Sequence, residues 1–163
     1  MVDFKAHLAK GYSAYEKATA ARTEVKAVLR ELTSQVEEFT NGKVGIKLKD
    51  EVALFSNNIV ENLVNVASGN PVSMPTNIQI NLVAYDKSQE SSTARKLASW
   101  TQEKDGYPCV LRFANAKHEA YDRTSLEKVL SELLAWSETG RIISSIAAKS
   151  PKANEIEGKP TAK

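Results

Sequence analysis

Apolar side chains recur every seven residues through the first forty positions of the chain. At about 100° per residue, two such columns and a flanking third, Ala14, Ala21 and Val28, form one broad apolar stripe along a helix. Asp3 can cap the start of this helix, and Asn41-Gly42 can end it with a left-handed residue. The pattern therefore predicts one long helix over residues 4–39. The two columns consist of Phe4, Gly11, Ala18, Val25, Leu32 and Phe39, and of Leu8, Tyr15, Leu29 and Val36.

The predicted helix is longer than the body that a chain of this size should form. About 36 helical residues extend over about 54 Å, whereas a compact chain of 163 residues should be only about 40 Å across. One end should therefore project and need a partner. Two interpretations stay open, since the breadth of the stripe favours packing on the protein's own core and its length favours a homo-oligomer. The candidate oligomer face consists of Phe4, Ala18, Val25, Leu29, Leu32, Val36 and Phe39.

Two shorter patterns follow the long helix. Residues 43–49 alternate between apolar and polar or small side chains, which predicts a short strand or an extended connector. Between Asp50 and Val66 the period becomes helical and predicts a second helix. The Gly-Asn-Pro sequence at 69–71 ends that helix, and residues 71–75 are interpreted as a linker.

Beyond the linker the apolar period becomes two. Residues 78–85, 93–102 and 107–114 predict three strands joined by polar turns, and residues 118–122 predict a short fourth strand. Consecutive strands with short turns form an antiparallel meander. A C-terminal helix then follows, opened by a capping-box sequence at Thr124 to Glu127 and closed at Gly140, with one or two further helical turns after it.

These elements together predict an α+β fold. It contains a long N-terminal helix, a second helix, a three- to four-stranded antiparallel meander, a C-terminal helix and a disordered tail. The tail is predicted because its lysine-, proline- and alanine-rich composition cannot bury enough apolar surface to order itself. The predicted organisation is a helical region over 1–70, the meander with its helix over 71–148, and a flexible basic tail over 149–163.

Composition narrows the function classes. A net charge of +2 excludes a globally basic nucleic-acid coat, although it leaves a local basic patch open. The single cysteine, Cys109, excludes an internal disulfide and fits a reducing, cytoplasmic environment. Neither a signal-peptide pattern nor a run of 18 apolar residues is present, so no membrane partner is expected.

Catalytic chemistry finds little support in the sequence. His7 and His118 have no companions at metal-ligand spacing, so neither a metal nor another cofactor is expected. Cys109 alternates with core residues and is interpreted as an inert buried thiol. A metal-dependent nuclease is the enzymatic alternative, but no acid-x-Lys strand pattern supports it and no catalytic residue is assigned. The carboxylates grouped in the predicted turns are Asp86, Glu90, Glu103 and Asp105.

The outward face of the predicted meander is the most suggestive candidate for a ligand. If Ile80, Leu82, Leu111 and Phe113 point inward, the opposite face holds aromatic and cationic side chains, which is how many proteins bind single-stranded nucleic acid. The order of meander and helix resembles that of Whirly-type and coactivator-type single-strand-binding folds. The competing interpretation places the first helix on that face and Trp100 in the core. The candidate face consists of Tyr85, Lys96, Trp100 and Arg112.

The sequence thus favours a non-enzymatic binding or assembly protein, homo-oligomeric through its first helix, with an unidentified protein partner as a further option. This make-up is typical of small accessory proteins of bacteria and their phages. The alternative is a single-stranded nucleic-acid-binding protein that uses the outer sheet face.

Overall fold

The computed structural model of the chain describes residues 2–51, 79–89 and 94–149. The predicted α+β fold is confirmed, although the sheet has five strands rather than three or four. The predicted second helix from residue 52 onward, the linker and residues 150–163 of the predicted tail lie outside the described residues. Asp50 and Glu51, the predicted start of that helix, belong instead to a strand. The described elements are α1 (Phe4–Phe39), β1 (Val44–Glu51), β2 (Gln79–Asp86), β3 (Arg95–Gln102), β4 (Cys109–Phe113), β5 (Ala116–Ala120), α2 (Arg123–Ala135) and α3 (Ser137–Lys149).

Helix α1 has the bounds that its apolar period predicts. The side chain of Asp3 accepts a hydrogen bond from the backbone N–H of Ala6 (3.1 Å), so it caps the first turn. The chain leaves the helix through Asn41 (φ 52°) and Gly42 (φ 75°), two consecutive left-handed residues. The helix contains 36 residues and is therefore about 54 Å long.

The five strands form one antiparallel sheet in the order β1-β2-β3-β4-β5. Strand β1 pairs with β2 along its whole length, from Val44 opposite Asp86 to Glu51 opposite Gln79, so residues 44–51 are a strand and not a connector. The predicted boundary at residues 71–75 therefore separates two strands of the same sheet, and the residues on its two sides share one hydrophobic core.

The core lies between one face of the sheet, the inner face, and three helices. Residues directly opposite each other on paired strands point to the same face, so Ile80, Trp100 and Leu111 lie in one row across the inner face. The second half of α1, the helix α2 and the helix α3 cover that face. The helical side chains of the core are Val25, Val28, Leu32 and Val36 of α1, Leu126, Val129, Leu130 and Leu133 of α2, and Ile142 and Ile146 of α3.

A β-bulge in β3 decides which side chains of that strand reach the core. Leu82 pairs with Ala98, but the next residue, Val83, pairs with Lys96, so Leu97 is an extra residue in the ladder. As a result Leu97 and Ala98 are both buried in the core, whereas Lys96 is exposed on the other face.

The bulge corrects the predicted position of Trp100. In a regular strand, Lys96 and Trp100 are four residues apart and would share a face, which is why the sequence placed both on the outer face. The extra residue between them puts them on opposite faces. Trp100 is only 2% exposed and belongs to the core, as the competing interpretation predicted. Its assignment to the outer face with Tyr85 and Arg112 is wrong.

The C-terminal helical region begins slightly earlier than predicted and is broken in a different place. Asp122, in an extended conformation, caps α2 by accepting a hydrogen bond from the backbone N–H of Ser125 (2.8 Å), and the Ser125 hydroxyl accepts one from Asp122 in return. The break falls at Trp136, whose backbone leaves the helical region (φ −70°, ψ 129°). Gly140, the predicted stop, lies inside α3.

We expect Trp100→Ala to reduce the free energy of unfolding by about 3–5 kcal/mol, because it empties an aromatic site in the core. Thr101→Ala is the matched control, since Thr101 is exposed on the same strand, and it should cost about 1 kcal/mol or less. Urea denaturation followed by circular dichroism measures both. Equal stability of the two variants would contradict the placement of Trp100.

Candidate assembly site and outer sheet face

The first part of α1 projects beyond the body of the protein. Every residue from 2 to 17 is exposed, and the first buried residue of the helix is Ala18. We call residues 2–17 the arm. Its helical portion, from Phe4 to Lys17, is about 21 Å long, which agrees with the overhang predicted from the length of the helix.

The arm carries large apolar side chains that contact no core. Phe4 is 79% exposed and Leu8 is 75% exposed. An exposed apolar residue is unremarkable by itself, but these side chains follow one another at helical spacing and form a continuous surface. The large exposed apolar residues of the arm are Val2, Phe4, Leu8, Tyr12 and Tyr15.

The predicted oligomer face is divided between the arm and the body. Phe4 and Phe39 are exposed at the two ends of α1, and Leu29 is half-buried beside the open groove between α1 and β1. The remaining members pack within the protein's own body and are unavailable to a partner, which corrects that part of the prediction. Those buried members are Ala18, Val25, Leu32 and Val36.

The β3–β4 turn holds α1 at the point where the helix leaves the body. The Arg22 guanidinium donates a hydrogen bond to the carbonyl oxygen of Lys104 (2.8 Å), and the Tyr107 hydroxyl donates one to the Glu24 carboxylate (2.9 Å). We call these four residues the base clamp. Burial, together with the hydrogen bond to Glu24 and the charge of that carboxylate, raises the pKa of Tyr107 above its usual value, so the phenol stays protonated and able to donate.

The clamp requires a glycine at its closest point. Gly106 has a φ of +99°, and a Cβ atom built there would lie 2.6 Å from the Cβ of Ala21. Any other residue would be strained in this conformation and would also push the turn away from the helix. The close contact between Gly106 and α1 therefore fixes the point at which the helix leaves the body.

The outer sheet face, opposite the core, is strongly cationic. Lys96 and Arg112 are exposed there, as the sequence predicted, and Tyr85 is half-buried on the same face. Glu119 lies on the same face and forms an ion pair with Lys117, and the register places Glu51 at the end of β1 on this face as well. Val83, at the centre of this face, is buried, so the face is not fully exposed to solvent. The cations of this face are Lys47, Lys49, Lys96, Arg112 and Lys117.

Tyr85 is engaged within the sheet. It lies opposite Gly45, and its ring is so close that a Cβ at Gly45 would lie 2.6 Å from Tyr85 Cζ. The Lys47 ammonium lies 4.4 Å from the centre of the same ring, within cation–π range. The ring therefore covers a glycine and binds a lysine, which leaves less of it for stacking on a nucleic-acid base.

The turn carboxylates considered for catalysis lie at different ends of the sheet. Asp86 ends β2 beside the start of β3, whereas Glu103 and Asp105 follow the end of β3. The eight residues of β3 separate the two ends by roughly 25 Å. Glu90 lies outside the described residues. The part of the chain that the structure describes contains no group of three or more metal-ligand side chains.

The two histidines occupy unrelated positions. His7 is exposed on the arm. The ring of His118 stacks on Phe113 with 4.1 Å between the ring centres, and its Nδ1 lies 3.5 Å from the Glu132 carboxylate. Both environments fit a packing or surface role.

The sequence missed several residues of both surfaces. Leu8 and Tyr15 belong to the second apolar column, and their seven-residue spacing was the available signal, but Tyr12 lies outside both columns. Lys47 and Lys117 reach the outer face only because β1 and β5 extend the sheet on either side, which required the strand register.

Comparison with protein-family models, with curated proteins and with solved structures finds no match. Within residues 2–51, 79–89 and 94–149, no helix is long and apolar enough to cross a membrane.

We expect Cys109 to react slowly with a thiol reagent at pH 8 in the native protein and rapidly in denaturant. The side chain is fully buried, and burial raises the pKa of its thiol to about 12, so little of the reactive thiolate is present at pH 8. Ser13→Cys adds an exposed thiol on the arm and serves as the reactive control. Labelling of Cys109 as fast as that of the control would contradict its burial.

Proposed function

We propose that this chain is a non-enzymatic assembly protein that associates with copies of itself through the arm. The observation that carries the proposal is the row of exposed apolar side chains on a helix that projects from an otherwise closed core. Full burial of one such side chain stabilises an association by about 1.5–3 kcal/mol. Several of them on one arm provide a substantial driving force.

The helical state of the arm also favours a partner. Most helical stability in proteins comes from packing of an apolar face rather than from intrinsic propensity. The arm has about four turns and packs on no part of the described body. Association would supply the packing that the arm lacks.

We expect the wild-type protein to have at least twice the mass of one 17.9 kDa chain in light scattering at micromolar concentration. Leu8→Asp should weaken association at least about 100-fold, because a symmetric dimer loses the burial of two leucines. The melting temperature of the monomeric body should stay nearly unchanged, since the arm is exposed. These two results together would separate loss of assembly from loss of folding.

Ser13→Asp is the matched control for this experiment. Ser13 lies on the opposite side of the same arm from Leu8, so the variant adds the same charge to the same helix away from the apolar row. It should assemble like the wild type. A monomeric wild-type protein, or equal dissociation by the two variants, would refute the proposal.

A second candidate function, binding of single-stranded nucleic acid, is favoured by the cations of the outer sheet face. With Trp100 in the core and Tyr85 engaged by Gly45 and Lys47, stacking contributes less than the sequence suggested. The interaction would rest mainly on neutralised phosphates, so affinity should fall steeply as the salt concentration rises.

We expect the double variant Lys96→Glu, Arg112→Glu to bind a fluorescent single-stranded oligonucleotide at least tenfold more weakly than the wild type, with a smaller dependence on salt. The control Lys26→Glu, Lys128→Glu makes the same change in net charge at exposed helical positions. Fluorescence anisotropy measures all three proteins. Equal losses in the two double variants, or no binding by the wild type, would eliminate this function.

A further inference from the structure

One column of the arm's apolar stripe continues into the body at the same spacing, whereas the other is interrupted at Arg22. The column that begins with Phe4 and Gly11 continues with Ala18, Val25 and Leu32 at the same spacing of seven residues, and those last three side chains are buried against the protein's own core. The surface that is free on the arm is therefore the same stripe that the body covers from Ala18 onward. A second helix that follows the stripe toward the body would meet the sheet and its helices.

This geometry distinguishes the two ways in which two arms can pair. In a parallel pair, the partner's helix would run along the stripe past Ala18 into the space that the body occupies. In an antiparallel pair, the partner's helix leads in the opposite direction, past the N-terminus of this helix, and the two bodies lie at opposite ends. We infer that two copies of this chain pair through antiparallel arms about a two-fold axis, an inference that rests on the proposed function.

The spacing of the stripe gives the register of this pair. The arm residues of the stripe are separated alternately by four and three positions, which is the spacing of core positions in a two-stranded coiled coil. In an antiparallel pair, Phe4 then faces Tyr15 of the second copy, and Leu8 faces Gly11. The two-fold axis passes between residues 9 and 10. In the two layers nearest the axis, Leu8 of each copy thus meets Gly11 of the other, which has no side chain.

Gly11 is the position that allows the helices to approach closely. It lies in the stripe, and apart from the backbone of its own helix no heavy atom is within 4 Å of a Cβ built there. Glycine is unfavourable in the middle of a helix compared with alanine. An isolated, solvated helix would therefore gain no stability from glycine at this position. Facing Leu8 of the second copy, the missing side chain provides the space that the leucine fills.

Size and charge are compatible with a second copy as the partner. The three exposed rings, Phe4, Tyr12 and Tyr15, would together bury roughly 300–500 Å² per copy if covered. Stable interfaces bury about 800 Å² per partner, so the rings supply about half, and Val2, Leu8 and the lysine stems supply more. The arm carries three lysines (5, 10 and 17) against Asp3 and Glu16, so repulsion between two arms is small.

The test measures the distance between two copies at a position outside the interface. Lys26 is exposed on α1 within the body, and Lys26→Cys carries a spin label in the full chain with an intact arm, while buried Cys109 stays unlabelled. Residue 26 lies about 16–17 positions from the axis in each copy, so an antiparallel pair separates the two labels by about 50 Å. A parallel pair brings them within about 25 Å, since paired helices are about 8–10 Å apart.

Pulsed electron–electron double resonance between the two spin labels should therefore give a single distance near 50 Å. A short distance, alone or beside the long one, would overturn the antiparallel two-fold pair and leave assembly through the arm standing. A protein that light scattering finds monomeric would overturn the proposed function itself. The two failures are therefore distinguishable.

Disulfide trapping tests the register independently. An equimolar mixture of Phe4→Cys and Tyr15→Cys should form a cross-linked dimer of the two variants under oxidising conditions. Neither variant alone should cross-link. The two copies of residue 4, like the two copies of residue 15, would be about 16 Å apart along the helices, beyond the reach of a disulfide. Cross-linking of each variant with itself indicates a parallel pair and would overturn the inference.

Discussion

Packing of the second half of α1 on the inner sheet face is the interaction on which the rest of the structure depends. Val25, Val28, Leu32 and Val36 contribute to a core shared with the central strands and with α2 and α3. Polar contacts join the same segment to the sheet edge, where the Thr33 hydroxyl donates to the carbonyl oxygen of Ile46 (2.9 Å). Because three helices already cover the inner face, the described body offers no place for the first half of α1, and that half projects.

The two candidate surfaces differ in chemistry and in position. The arm is apolar and nearly neutral in charge, and it lies beyond the body. The outer face is cationic and lies on the side of the sheet away from the core. An antiparallel pair of arms would place the bodies at opposite ends, so both outer faces would stay clear of the arm–arm contact. Assembly through the arm and binding of a polyanion on the sheet are therefore compatible within one molecule.

The sequence predicts regular elements well and register poorly, for physical reasons. The long helix was predictable residue by residue because one column keeps its spacing of seven from Phe4 to Phe39 and Asp3, Asn41 and Gly42 mark its ends. The faces of β4 were also predictable, since Cys109, Leu111 and Phe113 alternate without interruption and are all buried.

The position of Trp100 was not predictable, because alternation along one strand does not reveal a bulge. The extra residue at Leu97 becomes visible only when β3 is paired with β2, where Val83 lies opposite Lys96. In the same way, the stripe of α1 indicates an apolar face but not which part of that face the body covers. Both failures concern contacts between segments that are distant in sequence.

The base clamp affects the energetics of any association through the arm. A flexible appendage loses orientational and conformational entropy when it docks, and that loss weakens binding. Here Arg22 and Glu24 are bonded to the β3–β4 turn, and Gly106 lies directly against the helix at Ala21. The direction of the arm is thus set before a partner arrives, and the entropy lost on docking is smaller. The strength of association is therefore determined partly by residues that never touch the partner.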